Sequence, residues 1–132
     1  MAHEYQVFWI KHYLQKRLQM DKKKLIKQYK ETLQPMGVYQ IKNLVTGKVF
    51  IGSSKNLPGK INGQKFQLNL GSHPHEELQK DYTQVGETNF LFEVLDYLEP
   101  KEDKNYDYTE DLEVLKEMWI EKLDTKMPNG YN

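Results

Sequence analysis

Apolar residues recur every three to four positions between residues 7 and 18, a spacing typical of an amphipathic helix. Residues 4–31 are therefore predicted to be helical. Pro35 ends this region, because the residue before a proline avoids the helical conformation. The sequence thus predicts a basic helical N-terminal extension over residues 1–35, followed by a domain over residues 36–132.

The domain is predicted to contain strands and helices in mixed order. Its predicted elements are strands at about 37–43, 47–53 and 90–96 and helices at about 75–85 and 111–123. The first two strands form a hairpin that turns near Thr46 and Gly47. Residues 54–71 contain a proline and three glycines, so any helix there is predicted to be short. This order favours an α+β fold, in which helices flank a small three-stranded antiparallel sheet and an extra helical segment precedes it.

Charge is distributed unevenly along a chain whose formal net charge is zero. Residues 11–30 carry a net charge of +7, residues 31–80 carry +3, and residues 81–132 carry −9. A basic front half suits a polyanionic partner, although a solvated lysine-rich helix explains the same pattern. The chain has no cysteine, which excludes disulfides and thiolate zinc sites and is consistent with a cytoplasmic location. No apolar run approaches membrane-spanning length, so no membrane partner is expected.

Two short strings on either side of the hairpin carry the strongest motif. Residues 37–39 read Gly-Val-Tyr and residues 50–52 read Phe-Ile-Gly. Together with the strings at 52–57, 77–82, 90–95 and 119–120 and the terminal Tyr131-Asn132, they resemble the GIY-YIG nuclease family over about residues 36–132. The resemblance implies a divalent-metal-dependent endonuclease that hydrolyses phosphodiester bonds with Mg or Mn. Its expected partner is nucleic acid, DNA rather than RNA.

The resemblance also implies a set of catalytic positions, several of which hold a different residue here. Tyr39 matches the first-motif tyrosine, which in the family is proposed to help activate the attacking water. Phe50 replaces the second-motif tyrosine and keeps the ring without the hydroxyl. Lys60 stands where the family has an arginine, so the charge stays but the planar fork that grips phosphate is lost. Asn132 resembles the closing asparagine that helps to hold the site.

The largest departure from the family lies in the last predicted helix. Lys116 occupies the position of the metal-binding glutamate, and an ammonium group cannot coordinate magnesium. On a helical projection Lys116 falls inside the apolar arc, whereas the neighbouring Glu117 falls outside it. Glu117 is therefore only a weak candidate metal ligand. An ionisable residue on the inward face indicates a functional site, although a lysine that snorkels along its own methylenes is the alternative.

Basic residues and histidines supply the candidate contacts to nucleic acid. The candidates are Lys22, Lys23, Lys24, Lys55, Lys60, His73 and His75. The two histidines flank Pro74 and could equally be surface loop residues. The aromatic residues of the N-terminal helix are expected to pack on a domain or on a second subunit, which would make the protein a homo-oligomer.

Three hypotheses about function follow from these observations. The chain is a metal-dependent nuclease, a nucleic-acid-binding module that retains the fold without cleavage, or a protein-interaction module. The departures at Phe50, Lys60 and Lys116 favour the second hypothesis over the first. The acidic segment 99–113 and the near-zero net charge keep the third open. Metal-dependent cutting separates the first from the others, and salt-dependent DNA binding separates the second from the third.

Overall fold

The computed structural model describes residues 34–132 of the chain. The helix predicted over residues 4–31 lies outside the described residues, and so do the candidate contacts Lys22, Lys23 and Lys24. The extension over residues 1–35 and its proposed role in self-association therefore stay predictions.

Three antiparallel strands form the sheet, as the sequence predicted. Strand β1 spans Gly37–Asn43, β2 spans Val49–Ser54 and β3 spans Phe90–Tyr97. The spatial order is β2-β1-β3, so β1 is the central strand and pairs antiparallel with both neighbours. β2 begins two residues later than predicted, because the side chain of Asn43 organises a longer turn: its Oδ1 accepts the backbone N–H groups of Val45 and Thr46.

The helix after β2 is the main error of the sequence reading. Helix α1 spans Leu57–Leu70 and has 14 residues, where only a short helix was predicted. Pro58 lies in the first turn, where a backbone N–H is not needed, and Asn56 caps this turn by accepting the N–H of Gly59 at 3.1 Å. Gly71 ends the helix in the left-handed conformation. The proline and the last glycine therefore mark the two ends of one helix.

The other two helices agree with the prediction to within two residues at their first turns and end where predicted. Helix α2 spans Glu76–Val85, and a short 3-10 turn at Glu87–Asn89 leads into β3. Helix α3 spans Thr109–Leu123 and begins two residues before the predicted start. The carboxylate of Asp107 accepts both the backbone N–H and the hydroxyl of Thr109 there, at 3.0 and 2.6 Å. Within residues 34–132, no helix is long and apolar enough to cross a membrane.

The two faces of the sheet pack against different helices. Tyr39 and Ile41 of β1 face helices α1 and α2 and belong to one buried cluster with Leu57, Leu68 and Leu78. On the opposite face, Val38, Val49 and Ile51 of the sheet form a second cluster with Ile120 of α3. Leu115 and Trp119 pack against this cluster. This alternation along β1 follows from the two-residue period of a strand. Tyr39 and helix α3 therefore lie on opposite sides of the sheet.

Candidate active site

Tyr39 lies under helix α1 at the pairing of the first two strands. It faces Gly52 across the β1–β2 ladder, and its ring covers the space that a side chain at Gly52 would need. A Cβ atom built on Gly52 would lie 2.5 Å from Cζ of Tyr39, so glycine is required at this position. Only 1% of Tyr39 is exposed. Burial raises the pKa of its hydroxyl to about 12, against the opposing effect of a hydrogen bond from Gln64.

Gln64 connects the hydroxyl of Tyr39 to His73. Its amide nitrogen donates to Oη of Tyr39 at 3.1 Å, and its Oε1 makes a short hydrogen bond with Nε2 of His73. Nδ1 of His73 accepts the backbone N–H of His75 at 3.0 Å. Gln64 and His73 are both buried. Burial lowers the pKa of His73, and the nearby charges of His75 and Lys60 lower it further.

Phe50 packs beside this hydrogen-bonded chain. Its ring centroid lies 6.5 Å from that of Tyr39, 6.5 Å from His73 and 5.7 Å from His75, with both histidines in edge-on contact. The structure therefore brings together four of the residues singled out in the sequence. Because phenylalanine has no hydroxyl, its contribution here is apolar packing against the two imidazole rings.

His75 and Asn132 both hold the C-terminal segment in place. Nδ1 of His75 caps helix α2 by accepting the N–H of Leu78, and its Nε2 donates to the carbonyl of Tyr131 at 2.6 Å. The side chain of Asn132 pairs with both backbone groups of Ile51, each at 2.9 Å, and also accepts the hydroxyl of Thr125. Both residues have their polar atoms engaged within the protein, which gives them a positioning role around the site.

Tyr131 anchors this tail in a buried polar cluster that the sequence did not reveal. Its hydroxyl donates to Asp81 at 2.6 Å and accepts from the amide of Asn43 at 3.1 Å. Burial and then the hydrogen bond to Asp81 raise the pKa of Tyr131. Lys48 lies over the Tyr131 ring and forms an ion pair with Glu77 at 2.6 Å. These contacts join strand β1, the β1–β2 hairpin and helix α2 to the C-terminal segment.

The two candidate phosphate-binding lysines have different surroundings. Lys60 is exposed on the first turns of α1, and its charge lowers the pKa of His73, so it belongs to the surroundings of the Tyr39 site. Lys55 is exposed in the turn after β2; the pKa of Asp107 in the acidic loop is lowered chiefly by its hydrogen bonds from Thr109 and, to a smaller extent, by the charge of Lys55. The structure thus places Lys60 beside the site and Lys55 beside a carboxylate.

Helix α3 carries the two residues considered for metal binding. Lys116 is half-buried on the inward face, with 26% of its side chain exposed, and forms an ion pair with Glu113 at 3.2 Å. Glu117 is exposed, as the helical projection predicted. Both residues are carried by the helix that packs on the sheet face opposite Tyr39.

The donor set around Lys116 does not fit a divalent cation. Magnesium and manganese require oxygen donors from several groups, and Lys116 offers an ammonium group instead. Within residues 34–132 there is no group of three His, Cys, Asp or Glu side chains arranged to hold a metal. The described residues therefore contain no ready-made site for a divalent cation, and Glu117 stays an untested candidate.

Gln64 is the site residue that the sequence reading missed. It lies seven residues after Leu57 and four before Leu68, the two buried leucines of α1, and positions at these spacings share a helix face. Pro58 and Gly63 obscure this signal because they predict a short helix. With α1 at its full length, the spacing to the two leucines puts Gln64 on the buried face of the helix.

Comparison with known proteins yields relatives of one kind. The chain is 32% identical over 97 residues to Intron-associated endonuclease 1 of Enterobacteria phage T4, a match that covers 73% of this chain. The chain spans only 36% of that relative's length. No protein-family model matches the chain.

Two solved structures share the fold. The catalytic domain of the homing endonuclease I-TevI superposes with a TM-score of 0.62 at 28% identity, covering 74% of this chain and 96% of that domain. A glutamate-to-alanine mutant of the same catalytic domain gives a TM-score of 0.61 at 29% identity and covers 74% and 92% of the two chains. The shared region is therefore nearly the whole of a catalytic domain.

Proposed function

The chain belongs to the GIY-YIG nuclease family, and from this premise we propose that its domain is an endonuclease-type domain that binds the phosphodiester backbone of DNA. The observation that carries the proposal is the convergence of Tyr39, Phe50 and His73 beside the charge of Lys60. The relatives named as endonucleases support it, because they match this domain over nearly the full length of a catalytic domain.

A polyanionic substrate suits the charge of this part of the chain. Residues 31–80, which contain β1, β2 and α1, carry a net charge of +3, whereas residues 81–132 carry −9. A DNA duplex is therefore expected to contact the segment that bears Lys60. Association that depends on phosphate contacts weakens steeply as the salt concentration rises.

A second candidate function is DNA binding without hydrolysis. Lys116 favours it, because it stands where the family resemblance places a metal-binding carboxylate and is already paired with Glu113. The near-complete burial of Tyr39 favours it as well, since a scissile phosphate must reach that hydroxyl. Both candidates share the same surface and differ only in the chemical step.

One pair of assays tests the proposal. Binding of a fluorescent DNA duplex, measured by anisotropy between 50 and 300 mM salt, is expected to be tight at low salt and to weaken steeply as salt rises. Lys60→Gln is expected to bind several-fold more weakly than the wild type, and Lys101→Gln serves as the control on the acidic side. Nicking of supercoiled plasmid with Mg, Mn or EDTA then distinguishes cleavage from binding alone. Failure of the wild type to bind any duplex would overturn the proposal.

A further inference from the structure

Two apolar side chains lie exposed on helix α3. Val114 is 55% exposed, and Met118, one turn later, is 60% exposed. Ile120 anchors the helix to the sheet, and neither Val114 nor Met118 belongs to that buried cluster. Single exposed apolar residues are ordinary, whereas neighbouring ones on one face of a helix form a patch. Packing among the described residues therefore gives no reason for these two positions to be apolar.

Carboxylates surround this apolar pair. Val114 and Met118 line a groove of about 510 Å³, and most of the other residues that line it are acidic. We call it the acidic groove, and it is defined by Glu113, Val114, Glu117, Met118, Glu121 and Asp124. Within residues 34–132, Lys126 is the one basic residue that lines it. The groove thus combines an apolar patch with an excess of negative charge.

The carboxylates along this face of α3 repel one another. Glu113, Glu117 and Glu121 follow at intervals of four residues, and like charges at this spacing destabilise a helix. Glu113 is balanced by its ion pair with Lys116. Glu117 and Glu121 form no ion pair within the part of the chain that the structure describes. A positive charge between their carboxylates would relieve the repulsion, so the arrangement favours a cationic ligand.

Charge and apolarity together define the kind of ligand that suits the acidic groove. Nucleic acids and anionic membranes carry the same sign of charge as the groove and are repelled by it. Residues 34–132 contain no group of three His, Cys, Asp or Glu side chains arranged to hold a metal. A basic amphipathic helix carries lysine or arginine beside an apolar stripe, and amphipathic helices bind in apolar grooves of other proteins. The exposed Met118 suits such a contact, since methionine adapts its shape to the surface it meets.

We propose that the acidic groove of α3 is the docking site for a basic amphipathic helix of a partner protein. The apolar side chains of this helix cover Val114 and Met118, and its lysine or arginine side chains pair with Glu117 and Glu121. Because α3 and Tyr39 lie on opposite faces of the sheet, the partner leaves Tyr39 uncovered. The proposal does not depend on whether the domain binds or cuts DNA.

Binding of a synthetic peptide to the full chain tests the proposal. The probe is a fluorescent peptide of leucine and lysine, about 18 residues long so that a helix can form, with leucine at every third or fourth position. Its control has the same composition with the leucines distributed around the helix. The patterned peptide is expected to bind at least about tenfold more tightly, measured by anisotropy. Equal binding of the two peptides, or no binding of either, would overturn the proposal.

Matched substitutions locate the binding surface. Met118→Ser is expected to weaken binding of the patterned peptide about tenfold, and Glu117→Gln is expected to weaken it several-fold. Phe66→Ser is the apolar control, because Phe66 is 64% exposed on α1 and does not line the groove. Glu102→Gln, at an exposed position in the acidic loop, is the charge control. If a control substitution weakens binding as much as its partner in the groove, the groove is not the site.

A measurement on the unsubstituted protein avoids any effect of substitution on folding. The patterned peptide is expected to shift the backbone amide signals of residues 113–124 and to leave those of residues 57–70 in place. Shifts confined to residues 57–70, or spread evenly over the domain, would contradict docking on α3.

A second copy of this chain is the alternative occupant of the acidic groove. Sedimentation velocity of the full chain is expected to show a monomer, both for the wild type and for Met118→Ser. A dimer that Met118→Ser dissociates would make a second copy the occupant and overturn the proposal of a separate partner.

Discussion

The side chain of Asn132 pairs with the backbone of Ile51 as a neighbouring strand would, accepting its N–H and donating to its carbonyl at 2.9 Å each. Ile51 belongs to β2, which is an edge strand of the sheet. The adjacent Tyr131 N–H donates to the carbonyl of Val49 at 3.0 Å. The last two residues thus cover part of an edge that would otherwise present unpaired backbone groups. The closing asparagine of the motif stabilises the strand that carries Phe50.

Asn132→Ala is expected to destabilise the domain, because it leaves two backbone groups of Ile51 and the hydroxyl of Thr125 without their partner. The expected loss is about 1–3 kcal/mol in the free energy of unfolding, measured by urea denaturation. Asn129→Ala is the control, since the exposed Asn129 side chain bonds only the exposed Asp124 among residues 34–132. An unchanged midpoint together with a loss of DNA binding would contradict the structural role and indicate direct contact with the substrate.

Gly52→Ala is expected to disrupt the site, because the added Cβ would lie 2.5 Å from Cζ of the buried Tyr39. Overpacking of this kind costs about 1–3 kcal/mol of stability. Gly63→Ala offers the matched comparison: this helical glycine has open space around its Cβ position, and the substitution is expected to stabilise by about 0.5–1 kcal/mol. Urea denaturation measures both changes in the free energy of unfolding. If Gly52→Ala leaves the stability unchanged, Tyr39 can move aside.

Much of this arrangement follows from the sequence, and the failures have identifiable causes. The three strands could be predicted because their apolar runs are bounded by glycine and turn residues, and the motif pointed to Tyr39 and Phe50, whose ring centroids lie 6.5 Å apart. Helix α1 was underestimated because its proline and glycine were read as breakers, although Asn56 caps the first turn.

Other features depend on tertiary geometry that no local pattern encodes. His75 was grouped with possible phosphate contacts, yet its ring bonds the carbonyl of Tyr131, 56 residues away in sequence. The pairing of Asn132 with Ile51 joins positions separated by 81 residues. Such contacts become visible only when the C-terminal segment is placed against the sheet.

The stability of the domain is expected to fall as the pH drops below about 6.5, and His73 is one cause. In the unfolded chain its imidazole takes up a proton near the ordinary value of about 6.5, whereas burial and the charges of His75 and Lys60 hold its pKa lower in the fold. Between these two values the unfolded state binds more protons, so the contribution is complete above the ordinary pKa and is lost as the pH falls toward the folded one.

Urea denaturation at pH 7.5, 6.5 and 5.5 measures this effect, and His73→Gln is the comparison because glutamine does not titrate. The variant is expected to be less stable at pH 7.5 and to lose less stability than the wild type between pH 7.5 and pH 5.5. Equal slopes for the two proteins would show that His73 does not titrate differently in the folded and unfolded states.

Lys116→Glu is expected to increase metal-dependent activity, because it replaces an ammonium group by a carboxylate on the inward face of α3. Glu113, one turn earlier, is then released from its ion pair and becomes a second oxygen donor. Nicking of supercoiled plasmid with Mg or Mn is expected to be at least about tenfold faster than in the wild type, a gain of about 1.4 kcal/mol.

Lys116→Gln removes the positive charge without adding a carboxylate and should not show this gain. Manganese binding, followed by calorimetry without DNA, separates metal capture from cleavage. If the wild type already cuts in an EDTA-sensitive manner and Lys116→Glu is no faster, the metal is held by other residues and Lys116 does not stand in its place.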